Sequence, residues 1–162
     1  MFYTKQTLKH FRNPHNYGEI KNPDGEGEAG NIICGDLMNL YLKVKKTKNG
    51  VEIIDAVKFK TYGCAAAIAT SSVITDLVKG KTVDQALKIG KKDIIDTLNG
   101  LPPIKIHCSI LAIDALGEAI YQYLFKNNRP IPLSLQKTHE RIEIGKKEIK
   151  ERYAKWLSIS KK

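Results

Sequence analysis

Cysteine is scarce in this chain: three residues in 162, with no Cys-x-x-Cys pair among them. That excludes a disulfide-stapled secreted framework, a thioredoxin-type redox pair and a zinc ribbon, all of which need more or closer cysteines. Long apolar runs are missing too; none approaches the roughly 20 residues that a membrane helix requires. The start, Met1-Phe2-Tyr3-Thr4-Lys5, has neither a secretory apolar core nor the Arg/Ser-rich bias of a transit peptide. A cytoplasmic address with no membrane partner is therefore expected. Aromatics are few, and no stacking motif accompanies the basic residues, which argues against a nucleic-acid module: charge alone supports only nonspecific, salt-sensitive binding.

What is present is an ordinary globular composition, 42% hydrophobic and 27% charged, at a length that suits one domain with a sizeable core. The net charge of +10 is uneven. Arg129 to Lys162 holds ten Lys/Arg against four Glu, so this tail supplies +6 of the total. The basic character belongs mostly to the tail.

Local patterns divide the chain into short elements. Thr4 to Phe11 reads as a helix capped by Thr4 and stopped near Asn13-Pro14. Residues 18–35, rich in glycine and acid, read as irregular or edge strand. Leu40, Leu42 and Val44 alternate with Asn39, Tyr41 and Lys43; Asn49-Gly50 supplies a hairpin turn; Val51, Ile53, Val57 and Phe59 alternate on the return. Cys64 to Lys79 is alanine-rich helix closed by Gly80, and two short helices follow, one from Thr82 to Gly90 and one from Lys91 to Leu98. Leu101-Pro102-Pro103 cannot be helix interior. Cys108 to Asn127 reads as the central buried helix. In the tail, Leu135, Ile142, Ile149 and Trp156 recur every seven residues, with Glu143→Lys147, Glu148→Arg152 and Glu151→Lys155 at i,i+4 spacing. A helix docked on the domain or on a partner is expected there; polar companion positions argue against a coiled coil. The fold class is α+β: a small antiparallel sheet of about three strands with helices on one face, plus a C-terminal helical extension. Residues 1–128 form the domain and 129–162 the extension.

Each cysteine stands in a setting that exposes or activates a thiol. Cys34-Gly35-Asp36 enters the first hairpin strand; Gly63-Cys64 ends the second strand and opens a helix; His107-Cys108 opens the long one. A helix N-terminus favours thiolate over thiol. A buried small hydrophobe is the plain reading of each cysteine alone. It weakens because the hairpin returns Cys64 toward Cys34. Thiolates with one carboxylate, Asp36, and one imidazole, His107, are the ligand set of a soft-metal or iron–sulfur site. A cysteine-protease dyad is disfavoured, since adjacent residues rarely orient an imidazole onto the sulfur.

These motifs, in order, resemble the IscU/NifU-type family of scaffolds on which iron–sulfur clusters are assembled. The matching segments are Tyr3 to Asn22, with His10-Phe11-Arg12-Asn13-Pro14 and Tyr17-Gly18; Cys34-Gly35-Asp36-Leu37-Met38; Phe59-Lys60-Thr61-Tyr62-Gly63-Cys64 with Ala67-Ile68-Ala69-Thr70-Ser71-Ser72; and Leu101 through Ala112. The likeness spans roughly residues 2 to 127. Ala65-Ala66 departs from the Gly-Ser of many members, and no cysteine follows Cys108, unlike in larger NifU proteins. His107 and the compact stretch between the second and third motifs argue against the SufU type.

The resemblance implies a NifU/SufE-like two-layer domain that is not an enzyme. It implies a [2Fe–2S] cluster on Cys34, Cys64 and Cys108 completed by Asp36 or His107, with zinc able to occupy the same ligands. It implies sulfur received as persulfide from a cysteine desulfurase, with Cys108 chosen as acceptor on a polar, outward-reaching loop. Electrons would come from a ferredoxin-type donor and the product would go to apo iron–sulfur proteins. Leu101, Pro102, Pro103, Ile104 and Lys105 resemble the strip recognised by Hsp70/J-type chaperones. A zinc-dependent sulfur acceptor of the SufU type is the alternative, and a homodimer sharing a [4Fe–4S] form stays open.

Overall fold

The computed structural model describes residues 2–31 and 35–159; within these, the side chains of residues 31, 153 and 155–159 are left aside. Cys34 and its neighbours 32 and 33 therefore lie outside the described residues, as does the side chain of Trp156.

Three antiparallel strands lie in the order β1 (Gly25–Asn31), β2 (Asp36–Lys46), β3 (Glu52–Tyr62). Glycine and glutamate hide β1 from any hydrophobic pattern, and its glycines have a packing reason. A Cβ on Gly25 would stand 2.1 Å from the carbonyl oxygen of Ala119, and one on Gly27 would stand 2.2 Å from that of Ala115. The strand lies directly on the backbone of α5 (Ile106–Lys126), and only glycine fits there.

The β2–β3 hairpin turns at Asn49-Gly50, where Gly50 takes φ +78° and Thr47 N–H donates to Val51 O at 2.8 Å. Its register pairs Leu40 with Phe59 and Leu42 with Val57. The expected alternation on the return strand holds only in part. Lys43 pairs with Ala56 but Val44 pairs with Ile54, so Asp55 is an extra residue in β3. One inserted residue reverses the facing of everything beyond it. Ile54 is consequently the buried side chain, while Val51 is largely exposed. The open edge of β3 is covered by bonds from Gly18 N–H to Phe59 O (2.8 Å) and from Phe59 N–H to Asn16 O (3.1 Å), which blunts an edge that could pair with another chain.

Helices α2 (Ala65–Val78) and α5 pack on the sheet, and α1 (Lys5–Arg12) packs on α2. Thr4 caps α1, accepting from Thr7 N–H at 3.0 Å. The same hydroxyl donates to Leu98 O, tying the N-terminal segment to the end of α4 (Lys91–Thr97). α2 is buried on nearly every side, so its hydroxyls need internal partners. Ser71 donates to Ala67 O at 2.7 Å; Ser72 Oγ lies 2.9 Å from His10 Nδ1 and accepts from His15 N–H. The first of the two short helices, α3 (Val83–Ala86), starts at a Thr82/Gln85 capping box.

The tail forms α6 (Leu133–Ile159), which packs on α5 through buried Leu135 and Ile142. Arg141 pairs with Asp114 at 2.7 Å, and Glu143 pairs with Lys146 rather than with the expected Lys147. No helix among the described residues is long and apolar enough to cross a membrane.

Candidate metal centre

Asp36, the first residue of β2, and Cys64, the N-cap of α2, meet where the hairpin ends return to one another. Cys108 joins them from the first turn of α5, which begins at Ile106, two residues before its expected start. The Sγ atoms of Cys64 and Cys108 lie 3.8 Å apart. Asp36 Oδ2 is 3.8 Å and His107 Nε2 is 3.5 Å from the Cys108 sulfur. The structure thus brings together four of the five sequence-derived ligands, and the fifth, Cys34, lies outside the described residues.

These spacings suit a metal. Two thiolates bound tetrahedrally at about 2.3 Å stand roughly 3.8 Å apart, and a thiolate and an imidazole on one ion stand roughly 3.5 Å apart. The donor set mixes soft sulfur with borderline nitrogen and hard oxygen, as zinc or iron accepts.

The expectation of an exposed, activated thiol fails at Cys108. The residue is 1% exposed, and burial, followed by the nearby Cys64 sulfur, pushes its thiol well above the ordinary range. Its place in the first turn of α5 does not offset that burial. Cys64 is partly exposed and neighbours Lys105. The Cys64 charge is the main reason that the Lys105 ammonium is held above its usual value.

Residues to which the sequence reading gave no ligand role shape this site. A Cβ on Gly63 would lie 2.8 Å from Asp36 Oδ1 and 2.9 Å from Ala67 Cβ, so the glycine makes room for the carboxylate. Thr61 Oγ1 donates to Leu37 O at 2.7 Å, fastening the strand beside Asp36. Thr70 Oγ1 donates to Cys108 O at 3.2 Å, joining α2 to the first turn of α5. Tyr3, like Cys64 and Leu101, packs on the buried cluster of Ala66, Ala67 and Cys108, and burial, then the Cys64 charge, raises its phenol. The family likeness of the N-terminal segment includes Tyr3, but no local pattern ties it to this site, because its partners lie more than 60 positions away.

The segment before α5 is not extended throughout. Pro103–Lys105 forms a single 3-10 turn after an extended Pro102. Within it Pro103 and Ile104 are exposed, and Leu101, Pro102 and Lys105 are partly buried.

The model of the NifU-like N-terminal domain family matches residues 2–130. The chain is 47% identical over 146 residues to the iron-sulfur cluster assembly scaffold protein IscU 1 of Archaeoglobus fulgidus, covering 88% of this chain and 92% of that protein. It is 47% identical over 129 residues to the scaffold protein IscU of Escherichia coli strain K12, covering 78% and 97%. Among solved structures it is similar to a putative iron-sulfur cluster assembly scaffold protein for the SUF system from Fervidobacterium islandicum, with TM-score 0.58, 23% identity and coverage of 73% and 96%. A nitrogen-fixing NifU-like N-terminal domain from Brucella abortus matches the fold similarly, with TM-score 0.57 and coverage of 75% and 94%.

Proposed function

The chain belongs to the NifU-like N-terminal domain family, and from that premise we propose that it is a scaffold for assembling and passing on [2Fe–2S] clusters. The observation that supports this reading is the convergence on the Cys108 sulfur of Cys64 Sγ, Asp36 Oδ2 and His107 Nε2, each within 3.8 Å. Three thiolates with one harder or neutral ligand hold iron less firmly than four thiolates. A carrier that must release its product needs that weaker grip.

In this reading Cys34, Cys64 and Cys108 bind the cluster, and Asp36 or His107 completes the set. Sulfur arrives from a cysteine desulfurase. The Cys108 thiolate attacks the outer sulfur of the donor's persulfide, a new S–S bond forms on Cys108, and the donor's own S–S bond breaks with its electron pair left on the donor thiolate. Cys108 is buried, so the exchange requires the 101–105 segment and the first turn of α5 to swing outward. Reducing equivalents come from a ferredoxin-type protein, and apo iron–sulfur proteins receive the product.

The exposed Pro103-Ile104 corner is the docking point for an Hsp70/J-type chaperone. Binding as an extended strip would unwind the 3-10 turn and loosen the first turn of α5, which couples recognition to release. Residues 1–128 are the scaffold domain and 129–162 an accessory helix, the whole acting in the cytoplasm without catalysing turnover of its own.

Anaerobic incubation with a cysteine desulfurase, cysteine and ferrous iron tests the proposal. A red-brown product with a [2Fe–2S] spectrum is expected, lost in Cys34→Ser, Cys64→Ser and Cys108→Ser. Equal cluster content in all three variants would falsify the site assignment. Persulfide uptake with no cluster would favour the sulfur-acceptor alternative.

A further inference from the structure

A second group of ligand-type side chains lies between α5 and α6, with its α5 member, Glu118, ten residues beyond the proposed cluster ligand Cys108. Glu118 of α5 and His139 and Glu143 of α6 each offer a donor atom, and these atoms all lie within 4.8 Å of one another. Glu118 is only 6% exposed. His139 Nδ1 sits 3.1 and 3.0 Å from its two oxygens, and the imidazole is held flat against Tyr121 at a centroid distance of 3.8 Å and an angle of 9°. The three residues line a cavity of about 460 Å³ whose wall also includes Glu26, Glu28 and Lys146.

Charge makes this cavity unusual for so basic a chain. Four carboxylates line it, against one ammonium, Lys146, which lies 3.2 Å from Glu143. A plain His–Glu ion pair accounts for Glu118 and His139. It does not account for a third donor one helical turn along the same face of α6, or for two further glutamates on the wall.

We propose that Glu118, His139 and Glu143 form a cysteine-free site for a divalent transition cation of hard to borderline character, such as Mn²⁺, Fe²⁺ or Zn²⁺, and that this cation fastens α6 to α5. Two carboxylates and one imidazole suit such ions, with water filling the remaining positions. The ring stacking fixes the imidazole, so little order is lost on binding. A cation entering here takes over the role of Lys146, whose long side chain can turn toward solvent, and the neutral His139 ring takes the Nε2–H tautomer so that Nδ1 faces the cation as a lone-pair donor. Since the ligands come from both helices, binding favours the docked arrangement by mass action.

Mn²⁺ is the discriminating probe, because it prefers oxygen and nitrogen donors to thiolate. Titration of the full chain with Mn(II), followed by electron paramagnetic resonance, should show one tight site per chain and a rise in Tm. Glu143→Gln removes an exposed ligand while keeping the buried Glu118–His139 pair, so the fold should persist; affinity should fall at least about tenfold, on the scale set by disrupted metal sites. His139→Gln should act the same way. Lys146→Gln should tighten binding by removing the competing charge. The site should survive Cys108→Ser. Absence of a stoichiometric Mn(II) site, unchanged affinity in Glu143→Gln, or loss of the site in Cys108→Ser would each overturn the proposal.

Discussion

Gly63 lets Asp36 stand beside the Cys108 sulfur: a Cβ at position 63 would come within 2.8 Å of Asp36 Oδ1 and 2.9 Å of Ala67 Cβ. Asp36 is 5% exposed and held at the start of β2, so it cannot yield by a simple rotation into water. Gly63→Ala must shift the carboxylate or the start of α2, at a cost of about 1–3 kcal/mol. The carboxylate is proposed to support exchange and release, so Asp36→Ala should lengthen the life of the cluster. Gly63→Ala should do so in part. Decay of the visible absorption under anaerobic conditions measures both. Faster decay in Asp36→Ala would make that residue a simple retaining ligand.

Cys108 should carry the first persulfide after desulfurase turnover, although it is the more buried of the two described cysteines. Mass spectrometry of proteolytic peptides at short times should show the added sulfur there before it appears on Cys34 or Cys64. Given the partial exposure of Cys64, sulfur found first on Cys64 with uptake unchanged in Cys108→Ser would reassign the acceptor.

The α6 helix should matter more for stability than for assembly. Ile142 is 9% exposed in the α5–α6 contact, and Ile142→Ala should destabilise by about 2 kcal/mol, lowering Tm by roughly 4–8 °C. Cluster yield per chain, measured below that Tm, should stay near wild type. Truncation after Asn128 should likewise preserve yield. A folded truncated protein unable to assemble a cluster would place α6 in the site or in docking the sulfur donor.

Acid should weaken the fold through His10. Its ring is 4% exposed, and burial, with help from the neighbouring His15, lowers its pKa from the ordinary 6.5. The unfolded chain therefore binds this proton more readily than the native one. The stability involved is complete above about pH 6.5 and drains away as pH falls toward the lower native value. Urea unfolding at pH 7.5, 6.5 and 5.5 should show the decline, and His10→Gln should flatten it. A slope unchanged by the substitution would move the acid sensitivity to another group.

Sequence alone determined what is local. Thr4, Thr82 and Gly80 mark helix ends because capping and left-handed turns depend on residues a few positions apart. Leu40, Leu42 and Phe59 reveal the hairpin because side chains alternate with a period of two. The three cysteine motifs, with Asp36 and His107, were legible because each is a short string whose spacing carries the chemistry. Tertiary structure decided the rest. Asp55, inserted in β3, reversed the facing of Ile53 and Ile54, and no local signal distinguishes a bulged strand from a regular one. The strand over Gly25 and Gly27 has no hydrophobic pattern, since its reason is contact with the α5 backbone some 90 positions away. Burial of Cys108 depends on the packing of Tyr3, Ala66 and Ala67 around it, which outweighs the helix-end field that favoured an activated thiol. The meeting of Glu118 with His139 and Glu143 exists only once α6 docks on α5, because apolar burial of Leu135 and Ile142 brings charged side chains together that sequence spacing keeps apart.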